Sequence, residues 1–103
     1  MNGRIAISKE AVRDYCRRWR ITELALFGSV LREDFGPDSD IDILVRFAPG
    51  ANHGLFDLVT MQDELVEMLG RPVDLVTRPA VEKNRNHLRR KAILDSAEVI
   101  YAA

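Results

Sequence analysis

The chain has little of several things, and each shortage excludes something. It has one cysteine, Cys16, in 103 residues. That rules out an internal disulfide and any cysteine-based zinc cluster, and a lone cysteine on a helix reads as a small buried apolar residue. Net charge is −1, with Lys and Arg numbering 15 against 16 Asp and Glu. Such a balance gives no chain-wide attraction to nucleic acid. No apolar run approaches the roughly 20 residues needed to cross a bilayer. The N-terminus lacks the continuous apolar stretch of a secretory signal. No internal repeat and no low-complexity tract is visible. These absences predict a cytoplasmic protein with no membrane contact. What is left is 47% hydrophobic and 30% charged, an ordinary globular mixture. The length predicts a single domain over 1–103, with one core and no room for a second substrate-binding domain.

One stretch organises the rest. Leu24 to Phe27 is an apolar run of strand length that stops at Gly28-Ser29. A short helix is expected next, then a turn at Gly36-Pro37-Asp38-Ser39. Ile41, Ile43 and Val45 then alternate with Asp40, Asp42 and Leu44. Side chains two apart in a strand share a face, so Asp40 and Asp42 point the same way with Ile41 and Ile43 behind them. Like charges on a rigid strand are costly unless a cation lies between them. Mg²⁺ commonly binds one or two carboxylates together with substrate phosphates. A glycine-serine turn opening a helix offers backbone N–H groups to phosphate, and glycine permits close approach. Gly28, Ser29, Asp40 and Asp42 therefore suggest a site for a metal-bound nucleoside triphosphate.

The remaining chain reads as alternating helices and strands. Ser8 is a helix N-cap candidate, with Ile7 placed to staple onto Val12. Val12, Tyr15, Cys16 and Trp19 share one helical face, and Arg13, Arg17, Arg18 and Arg20 lie mostly off it. The basic face is read first as solvated, and second as a docking surface for an acidic partner or phosphate. Ala48 to Asn52 is a loop. Leu55, Leu58, Val59, Leu65, Val66 and Leu69 mark an amphipathic helix with Met61 and Met68 as core filler, ending at Gly70. Pro72 to Thr77 is a short strand carrying one charge, Asp74. A carboxylate there either meets a partner or sits on a solvated edge. Asn84 to about Leu94 is expected to be a helix with Leu88 and Ala92 facing inward and its many basic residues facing out. Val99 to Tyr101 adds a last strand. The order predicts an α/β (α+β) fold, a mixed β-sheet packed with helices.

Gly28-Ser29, ten intervening residues, then Asp40-x-Asp42 resembles the signature of DNA polymerase beta-like nucleotidyltransferases. With Arg32, Asp38 and Ser39 included, the segment is similar to the minimal nucleotidyltransferases (MNT), which are commonly encoded beside HEPN-domain toxins and act as their antitoxins. Glu33 stands where many members carry glycine. The resemblance spans about Ile21 to Tyr101 and implies the polymerase beta palm-like fold. It implies that Asp74 is the third catalytic carboxylate, on the strand after the long helix. It also implies ATP as donor, which nothing in the residues themselves selects.

The expected chemistry is transfer of a nucleoside monophosphate, in which catalysis is mainly positioning and charge neutralisation. Asp40, Asp42 and Asp74 would hold Mg²⁺, and Asp74, nearer the attacking hydroxyl, would either lower its pKa or receive its proton. Gly28 and Ser29 would hold phosphate. Arg32 either contacts phosphate or pairs with Glu33 or Asp34. The resembled antitoxins transfer AMP to a tyrosine of a HEPN ribonuclease toxin, and that is the acceptor and partner implied. Three other readings compete: an antitoxin that acts by binding alone, an antibiotic-type enzyme modifying a small molecule, and a polymerase-like enzyme on nucleic acid. The missing helical domain argues against the second, and the net charge argues against the third.

Overall fold

The computed structural model describes residues 8–28 and 40–103. Its element order is α1 (Lys9–Arg18), β1 (Ile21–Phe27), β2 (Ile41–Phe47), α2 (Leu55–Leu69), β3 (Val73–Thr77), α3 (Arg78–Glu82), α4 (His87–Ser96) and β4 (Glu98–Ala102). The strands form one mixed sheet in the order β3-β2-β1-β4. β1 pairs antiparallel with both β2 and β4, and β2 pairs parallel with β3. The expected mixed sheet with helices is what forms. The short helix expected after Ser29, and the staple from Ile7, lie outside the described residues.

β1 is central and covered on both faces, which explains its apolar run. Leu24, Ala25, Leu26 and Phe27 are all buried. A strand sandwiched on both faces loses the alternation of a half-solvated one. On one face Leu24 and Leu26 join Ile41, Ile43, Val45 and Val73 beneath α1 and α2. On the other, Ala25, Phe27 and Leu44 pack against Val81 of α3 and Ile93 of α4.

α1 follows its pattern. Ser8 accepts a hydrogen bond from the Ala11 N–H at 3.3 Å, and Val12, Tyr15 and Cys16 are buried. The Tyr15 hydroxyl donates to the Met61 carbonyl at 3.1 Å, tying α1 to α2 inside the core. Trp19 packs against that core, and its Nε1–H donates to Glu64, which also pairs with Arg18. One residue of the basic face thus has a structural partner on α2.

In α2 the stripe facing the sheet is shifted from the expected one. Met61 and Leu65 are fully buried, with Leu58, Val66, Met68 and Leu69 partly so. Leu55, Phe56 and Val59 are 74%, 87% and 52% exposed. The reason is position. Leu55, Leu58 and Val59 border a shallow hollow against Leu75 on β3, the edge strand, where no further strand of the sheet can close over them. α2 still guards that edge, because Gln62 Oε1 accepts from the Leu75 N–H at 3.3 Å. Gly70 ends the helix in the left-handed conformation, φ 69°, with its N–H returning to Val66.

Two corrections concern the C-terminal third. A short helix, α3, follows β3 directly, with Thr77 as its N-cap and Pro79 in its first turn. Its five residues are too few to show a helical period in sequence. α4 begins at His87 rather than Asn84, because Asn86 caps it by accepting from the Arg89 N–H at 3.2 Å. Leu88 and Ala92 were expected inward but are exposed, and Ile93 is the buried contact. Packing of Ile93 under the Phe27–Leu44 face sets the rotation of this helix.

Candidate active site

Register places the expected carboxylates. Across the sheet Phe27 pairs with Asp42, and Asp42 pairs with Asp74. The next row behind them is Ala25, Leu44 and Val76. Directly paired residues share a face. Asp42 and Asp74 therefore stand side by side at one end of the face that α3 and α4 cover, with an apolar row behind them. Ile41 and Ile43 point into the opposite core and are 0% and 1% exposed. Asp40 immediately precedes β2 and is exposed, Asp42 is half-buried, and Asp74 is exposed on the edge strand.

Gly28 closes the site from the β1 side. Its φ is 74°, and an added Cβ would lie 2.2 Å from Asp42 Oδ2. Glycine is required here for two reasons: the backbone conformation, and the carboxylate occupying the space of a side chain. Ser29 and Arg32, the other expected phosphate contacts, lie outside the described residues. Next to Gly28 is a hollow of about 210 Å³ lined by Phe27, Gly28, Arg89, Ala92, Ile93 and Ser96. Arg89, Ala92, Ile93 and Ser96 recur at helical spacing, so one face of α4 forms this wall. From sequence alone the basic residues of this helix read as a solvated face. The spacing was visible, but which face of α4 meets the glycine turn depends on how the helix packs.

The donor chemistry suits a hard divalent cation. Like charges directly opposite on neighbouring strands repel, and a cation between them relieves that cost. Among the described residues, no three Asp, Glu, His or Cys side chains gather closely enough to hold a metal ion by themselves. The structure thus pairs Asp42 with Asp74 and sets Asp40 at the lip of β2, without bringing all three into one ligand cluster. Mg²⁺ is usually held by one or two carboxylates, with phosphate and water completing its shell, so the pair fits.

A family model described as a nucleotidyltransferase domain matches residues 8–100. The chain belongs to the nucleotidyltransferase domain family. A Methanocaldococcus jannaschii protein named "Putative protein adenylyltransferase MJ0435" is 44% identical over 57 residues, 55% of this chain and 59% of that protein. The matched region is thus less than two thirds of that relative's length. A solved structure described as a "putative minimal nucleotidyltransferase" is 34% identical, with TM-score 0.65, covering 86% of this chain and 85% of that one. The nucleotidyltransferase fold is also shared with a complex described as a tri-AMPylated Shewanella oneidensis HEPN toxin with MNT antitoxin. That likeness has TM-score 0.62 at 18% identity, covering 92% of this chain and 70% of that one. No described helix of this nucleotidyltransferase domain is long and apolar enough to cross a membrane.

Proposed function

We propose that residues 1–103 act as a single minimal nucleotidyltransferase domain that moves AMP from ATP onto a protein hydroxyl, a tyrosine of a HEPN-family toxin, and so serves as that toxin's antitoxin. The observation that carries the reading is the Asp42–Asp74 pair in register, with Gly28 pressed against Asp42. The relatives named adenylyltransferase and the fold shared with an antitoxin of a HEPN toxin support it. A cytoplasmic setting, where ATP is plentiful, goes with it.

The residues divide the work. Asp42 and Asp74 are the pair that would hold Mg²⁺, with Asp40 beside them at the lip of β2, and the ion when bound would supply positive charge to phosphate oxygens. The Gly28-Ser29 turn offers backbone N–H groups to the phosphate chain, and Arg32 adds a charge-assisted contact. Asp74, exposed at the sheet edge, can be reached by an incoming hydroxyl and takes its proton. The acceptor oxygen then bonds to the α-phosphorus, the bond to the bridging oxygen breaks, and pyrophosphate leaves.

The test combines the chain, its HEPN partner, ATP and Mg²⁺, and reads the partner's mass. Wild type should make the partner heavier by one or more adenylates. Asp42→Asn should slow transfer by roughly 100-fold or more, the scale for losing a group that stabilises transition-state charge. Full transfer by Asp42→Asn would overturn the mechanism. Tight binding of the partner without transfer by wild type would leave an antitoxin that acts by contact alone.

A further inference from the structure

The basic residues around α3 and α4 are not equivalent. Arg78 pairs with Glu82 at 3.0 Å within α3. Arg90 donates to the Glu82 and Asn84 carbonyls at 3.4 and 3.3 Å, tying the start of α4 to the end of α3. Both guanidinium groups are used by the fold. The Arg89 guanidinium has no ion pair or hydrogen bond among the described residues, while its backbone N–H is fixed by the Asn86 cap. Its side chain lines the hollow beside Gly28.

The walls of that hollow leave room for an anion beside the carboxylates. Ala92 and Ser96 are small, so the α4 face leaves space a longer side chain would fill, and the 210 Å³ opening begins at the same glycine that touches Asp42. The Ser96 hydroxyl donates to the Ala92 carbonyl at 2.7 Å, so it contributes room rather than a free donor. Charge supplies the second argument. The carboxylates at Asp40, Asp42 and Asp74 repel phosphate, and a cation held there is largely offset by them. The far end of a triphosphate therefore needs positive charge from elsewhere. A guanidinium fork matches phosphate oxygens two at a time and keeps its charge at every working pH.

We infer that Arg89 is a binding residue for the terminal phosphates of the nucleotide, in the hollow between Gly28 and α4. The inference rests on the transferase reading above and adds a residue to it. Arg89 grips the part of the donor that departs as pyrophosphate, and discriminates a triphosphate from a monophosphate.

The experiment measures equilibrium binding to the whole chain, with Mg²⁺, of three probes: a non-hydrolysable ATP analogue, inorganic pyrophosphate and AMP. Arg89 is exposed, so Arg89→Ala should melt like wild type. That variant should bind the analogue and pyrophosphate roughly tenfold or more weakly, the worth of one hydrogen bond to a charged group. Its AMP affinity should not change. Arg89→Lys, which keeps the charge and loses the fork, should fall between the two. Unchanged analogue affinity in Arg89→Ala overturns the inference and leaves the transferase reading standing. Equal weakening for AMP and the analogue also overturns it, because the contact would then not lie on the terminal phosphates. A wild-type chain that binds no triphosphate overturns both.

Discussion

Gly28 carries two constraints at one position. Its φ of 74° lies where an L side chain costs about 1–2 kcal/mol. Its missing Cβ is also the space that Asp42 Oδ2 occupies, 2.2 Å from where the carbon would sit. Gly28→Ala should therefore do more than destabilise. The methyl group must push the Asp42 carboxylate away from its place beside Asp74, at the centre of the proposed chemistry. The expected outcome is a folded chain, about 1–2 kcal/mol less stable in urea, whose AMP transfer falls as far as that of Asp42→Asn. Near-normal transfer by a folded Gly28→Ala chain would mean that Asp42 has no fixed position to lose. The sequence showed that a glycine stands before a pair of aspartates. It could not show that the glycine touches one of them, because that contact crosses from β1 to β2.

At the scale of elements, ends were easier to read than faces. Ser8 and Gly70 mark a start and a stop by local chemistry, and both do so in the structure. The turn from α1 into β1 uses a less suited residue. Arg20 is the one non-glycine residue with positive φ among those described, at 58°. The conformation is held because the Arg20 N–H returns to Arg17 and its carbonyl accepts from Ala48 at 2.8 Å, which ties the turn to the end of β2. Arg20→Gly removes the left-handed strain at the cost of a more flexible unfolded chain. We expect a net gain of about 0.5–1 kcal/mol. It should appear as a higher urea midpoint at unchanged slope. A lower midpoint would mean that the exposed Arg20 side chain makes a stabilising contact. Faces, by contrast, depend on neighbours. The α2 stripe centres on Met61 and Leu65 instead of beginning at Leu55, because the first turns overhang the edge strand β3. His53 was not singled out in sequence. It accepts a place between Trp19 and Phe47, with Nε2 2.7 Å from the Trp19 carbonyl, and so pins the loop before α2.

For the whole molecule, the two cores share the sheet but have different duties. The α1–α2 side holds most of the buried volume, including Tyr15, Cys16 and Met61. The α3–α4 side supports the carboxylate row. Burial raises the Cys16 thiol to about 12. It pushes the Tyr15 hydroxyl well above its ordinary range too, with Glu64 adding to the effect. Both groups keep their protons in the folded chain at pH values where the unfolded chain releases them. The thiol's contribution to stability is complete below its ordinary value of 9.0 and is lost as pH rises toward about 12, while the hydroxyl's begins to be lost only above its ordinary value of 10.0. Denaturation midpoints measured from pH 8 upward should fall with pH, and Cys16→Ala should flatten the first part of the fall. A wild-type midpoint that stays level through pH 11 would contradict burial of the thiol.

By itself the sequence determined the types of the longer elements, though not the five-residue α3, the alternation that turns Asp40 and Asp42 away from Ile41 and Ile43, and the kinship with nucleotidyltransferases. These follow from neighbours within a few positions, where periodicity, capping and turn chemistry are decided. The tertiary structure alone decided that Asp74 lies opposite Asp42, that Asp42 presses on Gly28, and that Arg89 reaches the hollow beside it. Each of these joins segments separated by whole elements, and their meeting is set by strand register and by the burial of Ile93, which no local pattern encodes.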